Sequence, residues 1–211
     1  MKNGVLIAAL AGWLALGCGS ETDKPLPFLG EPRSVSRTVD GVEVTELAYP
    51  TIPDFSFTNQ DGQPVTNRDF DGKIYVADFF FVTCPTICPV MKKNMLKVYE
   101  AYRDNPKVGI LSHTIDPDHD TPAVLKQYAA DLGVTGSTWQ FVTGDREQIY
   151  DIGEGHYLVT AKADKSAPGG YIHSGAFVLI DRDRHIRGMY DGTTDEGTEK
   201  LIADIKTLLT E

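Results

Sequence analysis

The run Ile74-Tyr75-Val76-Ala77-Asp78-Phe79-Phe80-Phe81-Val82 is almost wholly apolar and leads into Cys84-Pro85-Thr86-Ile87-Cys88-Pro89. A continuous run, rather than alternation, predicts a central strand covered on both faces. Beyond Pro89, Met91, Met95, Val98, Tyr99 and Tyr102 recur at helical spacing, with Lys92, Lys93 and Lys97 off that stripe. That pattern predicts a helix over 90–102. A buried strand that passes into a helix through two cysteines leaves the fold little freedom. Pro85 and Pro89 each disfavour the α conformation in the residue before them. Cys84 and Cys88 are therefore expected outside regular helix, with Pro89 at the first helical position. Cys88 then lies at the N-cap and Cys84 in the preceding loop. Free N–H groups and the positive end of the helix dipole favour thiolate there. A thiolate is both a redox nucleophile and a soft metal ligand, and the motif alone leaves both readings open.

The N-terminus sets the compartment. Lys2 precedes an apolar segment, Val5 to Leu16. Its length suits a signal peptide and falls short of the roughly 20 apolar residues of a membrane span. It ends at Gly17-Cys18, which resembles a bacterial lipoprotein signal, where the cysteine becomes the lipidated N-terminus. Residues 1–17 are expected to form the signal peptide, 18–46 a tether and 47–211 the folded domain. The domain is then exported and held on a bacterial membrane, in the periplasm or outside the cell. Setting Cys18 aside leaves a pair among the three cysteines, and an exported pair has to be weighed against a plain disulfide. A bridge closing so short a loop gains least from loop entropy, so a mere brace explains the motif poorly. The formal charge of −10 lacks the basic footprint of a nucleic-acid binder.

Along the chain, 20–45 is polar, with Pro25, Pro27 and Pro32 and a short hairpin conceivable around Ser34 to Val44. Pro53 to Thr66 reads as a hairpin about the turn Asn59-Gln60-Asp61-Gly62-Gln63. After the strand and helix around the cysteines, Lys107 to Ile115 is a second strand. Thr121 and Pro122 open a helix over 123–132. A short strand, Thr138 to Thr143, and a short helix, Asp145 to Ile152, follow, then an extended Tyr157-Leu158-Val159. Residues 161–170 read as polar and flexible. Ser174 to Asp181 and Ile186 to Tyr190 form a hairpin, and the last helix carries Leu201, Ile202, Ile205, Leu208 and Leu209 on one face, with Thr193 to Glu196 as a capping box. A βαβ unit followed by a ββα unit is the thioredoxin-like α/β arrangement. The N-terminal β-hairpin and the helix inserted after the second strand are additions to it.

Three residues between the cysteines, rather than two, let both sulfurs chelate one ion as well as close a disulfide. Soft thiolates select Cu(I), and an added imidazole makes a three-ligand site able to hold either copper oxidation state. Phe81 to Pro89, Asp116-Pro117 with Asp120-Thr121-Pro122, Trp139, Thr143-Gly144-Asp145, and His173-Ser174-Gly175 with Phe177, Leu179 and Asp181 together resemble the Sco/SenC/PrrC family. These are membrane-anchored, thioredoxin-fold copper proteins that help assemble cytochrome c oxidase, and the similarity runs from about Ile52 to Leu209. The resemblance implies that Cys84, Cys88 and His173 are ligands to copper, as Cu(I) or Cu(II). It implies a disulfide between Cys84 and Cys88 when oxidised. It implies oxidase subunit II and a copper donor protein as partners. Thr83 stands where thioredoxins usually carry Trp, and no proline lies nearer to His173 than Pro168; both departures favour metal over general disulfide exchange.

Asp116 is either a turn aspartate or a hydrogen-bonding neighbour that orients the site. Asp116 to Asp120 lacks the spacing of a calcium loop. His113 reads as a packed strand residue, His119 as a solvated one, and His156 and His185 as surface residues. Met91 and Met95 read as core. Asp78, in an apolar strand, must pair or border the site. The leading expectation is a membrane-anchored copper metallochaperone for the dinuclear copper centre of the oxidase. The alternatives are a thiol–disulfide reductase that keeps partner cysteines reduced, the one enzymatic activity in view, and a redox or copper sensor.

Overall fold

The computed structural model describes residues 24–211; the signal segment and Cys18 lie outside the described residues. Among the described residues no helix is long and apolar enough to cross a membrane. The first elements, β1 (Arg33–Val39) and β2 (Val42–Ala48), form an antiparallel ribbon. Its turn, Asp40-Gly41, has φ of 51° and 81°, the left-handed pair that matches the twist of a two-residue hairpin. All residues of the ribbon are exposed. It begins one residue earlier than the hairpin read from the sequence and runs past residue 46.

The body follows, in the expected sequence except for the added β8 and β9: β3 (Ser56–Asn59), β4 (Pro64–Thr66), β5 (Ile74–Phe80), α1 (Cys88–Tyr102), β6 (Val108–Thr114), α2 (Pro122–Asp131), β7 (Trp139–Thr143), α3 (Arg146–Asp151), β8 (Ala161–Ala163), β9 (Tyr171–His173), β10 (Ala176–Ile180), β11 (Ile186–Asp191) and α4 (Asp195–Leu208). Seven strands share one sheet in the order β11-β10-β5-β6-β7-β3-β4. β5, β6 and β7 run parallel, while β10 and β11 return antiparallel on the other side of β5. Every residue of β5 and of β6 is buried, as an unbroken apolar run in a central strand requires. This is the thioredoxin-like βαβ plus ββα core, with the N-terminal hairpin β3–β4 completing the sheet beside β7.

Several local expectations are corrected. The helix begins at Cys88 itself, with Ile87 at the N-cap and Pro89 second. Val90 and Met91 both donate backbone N–H to Ile87 O, at 3.0 Å each, so the first turn closes one residue earlier than Pro89 alone implies. The cap of α4 is Thr194, not Thr193: its Oγ1 accepts from Gly197 N at 3.1 Å. Thr193 is engaged elsewhere, donating from both N and Oγ1 to Asp191. Residues 152–156 form a π-helical turn after α3, and Leu158 adopts φ +60° instead of extended backbone. The stretch read as flexible, 161–170, opens with β8, which pairs antiparallel with β9 directly after it to form a ribbon of its own.

Candidate metal centre

The site assembles where β5 ends. β5 delivers the chain to Phe81, and Cys84 N donates back to Phe81 O at 3.2 Å. This turns Cys84 under the start of α1, whose first residue is Cys88. Both side chains are buried, at 7% and 4% exposure, and both thiols are free. His173 arrives from the far half of the chain, at the end of β9. Its Nε2 lies 3.1 Å from Cys88 Sγ and 3.7 Å from Cys84 Sγ. The three ligand atoms lie within 4.8 Å of one another. Metal–ligand bonds of roughly 2.0–2.3 Å set three ligands about 3.5–4 Å apart, so one ion fits between them.

The protonation states suit such an ion. Burial raises the Cys84 thiol, but the opposing hydrogen bonds from Cys88, from the backbone N–H groups of Thr86 and Cys88, and from the Thr86 hydroxyl bring it below the ordinary thiol range. Burial pushes Cys88 far above that range, reinforced by its hydrogen bond to Cys84 and by the Cys84 charge. The two thiols are therefore unequal: Cys84 gives up its proton more readily than Cys88, whose proton a positive ion would displace. Burial also lowers the His173 imidazolium, leaving a neutral ring. Its Nδ1 sits 3.1 Å from Ser174 O; a proton there faces that carbonyl and the Nε2 lone pair faces the sulfurs.

The β8–β9 ribbon is fastened around this site. The Phe81 ring packs on Tyr171 at 5.1 Å and edge-on to His173 at 5.8 Å. Gly169, at φ +79°, lets the ribbon's turn approach closely; a Cβ there would meet Phe81 at 2.9 Å and Pro85 at 3.1 Å. Tyr171 donates its hydroxyl to Asp116 Oδ1 at 2.6 Å. Asp116 thus touches none of the three ligands and instead holds the strand that carries one of them. Tyr171 had no signal in the sequence beyond its closeness to His173. Asp120, fully buried, ties the Asp-Pro loop to the end of β5, accepting from Val82 N at 3.0 Å, Thr114 Oγ1 at 2.5 Å and His119 Nδ1 at 2.8 Å.

The remaining singled-out residues fall outside the cluster. His113 is wholly buried among aromatic rings. His119 is half exposed beside Asp120, whose hydrogen bond raises its pKa. His156 is half-buried. His185 is not a free surface residue: it packs edge-on to Phe28 at 5.1 Å and lies 3.5 Å from Asp181. Met91 and Met95 are core. Asp78 is buried and accepts from Ser112 Oγ, which in turn accepts from Trp139 Nε1 at 2.8 Å. Burial pushes its carboxyl up to about 7, against the Ser112 hydrogen bond. It shares a cavity wall with Cys88, so it borders the site from the core side. Asp118 pairs with Arg146 at the surface.

The family model described as SCO1/SenC matches residues 44–210. A SCO1 protein homolog of Bacillus subtilis (strain 168) is 32% identical over 169 residues, covering 78% of this chain and 85% of the relative. The crystal structure of a SCO1/SenC family lipoprotein from Bacillus anthracis str. Ames superposes with a TM-score of 0.69 at 34% identity, over 75% of this chain and 95% of that one. The structure of Bradyrhizobium japonicum ScoI with copper bound superposes at 0.62 and 26%, over 75% and 99%. A model matching most of the chain, together with these relatives, shows that this protein belongs to the SCO1/SenC family.

Proposed function

We propose that this protein binds one copper ion through Cys84, Cys88 and His173 and delivers it during assembly of cytochrome c oxidase. The observation that carries the reading is the convergence of two sulfurs and one neutral imidazole nitrogen at a strand–helix junction. Soft sulfur ligands prefer Cu(I), and the nitrogen admits Cu(II). The copper-bound relative supports the choice of ion. Family membership supports the role in oxidase assembly, with subunit II as receiver and a separate copper donor. The lipoprotein relative supports an exported domain anchored to the membrane through Cys18. The disulfide between Cys84 and Cys88 is the metal-free oxidised form, since a closed bridge offers no thiolate. Anaerobic Cu(I) titration against a competing chelator tests the site: one tight equivalent is expected, strongly weakened in His173→Ala. Unchanged affinity in that variant would overturn the three-ligand reading.

The unequal thiols favour a second reading on the same residues. A depressed Cys84 beside an elevated Cys88 is the pairing that thiol–disulfide exchange uses, one sulfur attacking and the other resolving. A reductase acting on partner cysteines needs both sulfurs but not His173. Retained exchange with a partner dithiol in His173→Ala, with copper binding lost, would separate the two activities.

A further inference from the structure

The segment that leads from the N-terminus does not hang free. Arg187, in β11, has a side chain only 7% exposed. Its guanidinium donates to Leu26 O at 2.6 Å and Pro27 O at 3.2 Å. It also pairs with Asp181 at 3.0 Å and with Glu211, the last residue, at 2.8 Å. Leu26 N donates to Glu211 at 3.0 Å and Leu29 N to Ile186 O at 2.8 Å. The Phe28 ring covers the guanidinium at 4.3 Å and stacks on Tyr49 at 5.1 Å. A buried guanidinium is tolerated only when its donors are satisfied, and the carbonyls of Leu26 and Pro27 complete that set. Residues 26–29 are therefore a strap built into the fold.

The strap lies at the pole opposite the metal centre. Ile180, next to Asp181, pairs with Tyr75 near the start of β5, whereas Cys84 follows the end of β5. At about 3.3 Å per residue, β5 separates the two poles by roughly 20 Å. We propose that the Arg187 clasp orients the domain on its membrane. It forces the anchored chain to leave from the pole opposite Cys84, Cys88 and His173, so the site faces away from the bilayer toward a protein partner whose receiving site stands clear of it. This rests on the anchoring through Cys18 proposed above. Cys18 and Leu26 lie eight positions apart, a span of at most about 28 Å. The strand adds roughly 20 Å between the strap and the site. With the clasp undone, the domain is held only from beyond the β1–β2 ribbon, and the site is free to turn toward lipid.

The test uses full-length lipidated protein in phosphatidylethanolamine–phosphatidylglycerol vesicles bearing a surface acceptor dye. A donor dye sits at Lys165→Cys, on the exposed turn of the β8–β9 ribbon, in a Cys84→Ser/Cys88→Ser background. Arg187→Leu with Asp181→Asn and Phe28→Ala removes the donors and the ring that hold residues 26–29 without leaving the Asp181 charge unpaired; the unfolding transition confirms that this variant folds. A narrow distribution of long donor–acceptor distances in the clasped protein, turning broad and shorter on release, is the expected result. Identical distributions with and without the clasp, or a clasped donor lying at the bilayer surface, would overturn the proposal while leaving the anchor intact. Failure of the protein to sediment with vesicles would refute the anchoring, and the orientation with it.

Discussion

His113 tests how the core handles a titratable ring. The ring stacks on Phe79 at 4.8 Å, stands edge-on to Phe57 at 5.1 Å and lies 5.5 Å from Tyr157. Neither ring nitrogen has a hydrogen-bond partner among the described residues. Burial drives its pKa from 6.5 down to about 3. The unfolded chain takes up a proton near pH 6.5 that the folded chain refuses until about pH 3. The sign follows: this contribution to stability is complete above the unfolded pKa and is lost as pH falls below it. Between pH 7 and pH 5 the unfolded state gains about 1.5 units of proton binding free energy, or about 2 kcal/mol. Urea unfolding of the reduced, metal-free protein at both pH values measures this against His113→Leu. Other titrations are common to the two proteins and cancel in the difference. The wild type is expected to lose about 2 kcal/mol more than the variant on going to pH 5. Parallel pH profiles would refute the reasoning, because the buried ring would then be taking its proton without penalty.

Tyr171→Phe removes the hydroxyl that holds β9 to Asp116; the metal-free protein is expected to lose about 1 kcal/mol in urea unfolding, and copper affinity in a chelator competition to fall about 3–10-fold because the ion must then order the β9 end itself. Asp120→Ala strands Val82 N and Thr114 Oγ1 in the interior and should cost about 3 kcal/mol in urea unfolding; a loss under about 1 kcal/mol would mean that water replaces the carboxylate. Thr194→Ala should destabilise by about 1 kcal/mol through loss of the α4 cap, and Thr193→Ala by less than about half as much; the reverse order would reinstate Thr193 as the cap.

The central strand and the cysteine hexapeptide were legible because each is a local signal: nine nearly apolar residues, then two thiols set between prolines. The βαβ plus ββα arrangement followed from the alternation of strand and helix patterns, because a parallel pair requires a crossover. His173 was reachable only through the family resemblance, since it stands 85 residues from Cys88 and no periodicity marks it. The ribbon that carries it was missed because β8 and β9 span three residues each, too few for an alternation to register. Tyr171–Asp116 and the Arg187 clasp join residues 55 and 161 apart, and such pairings are decided by packing rather than by local composition. The early start of α1 and the displaced cap of α4 reflect competition among neighbouring donors, which single-residue preferences do not resolve.

The distance in sequence between Cys88 and His173 has a thermodynamic consequence. An ion held by both is a reversible cross-link that closes 85 residues of chain. Treated as chain entropy alone, closing a loop of that length restricts the unfolded state by about 4–5 kcal/mol. On the copper reading proposed above, the ion would help keep the two halves of the domain together, and its removal would release that restraint. Without the ion, β9 keeps its pairing with β8, the Tyr171–Asp116 hydrogen bond, the Phe81 ring and the close contact at Gly169, but loses the ion's link to Cys84 and Cys88.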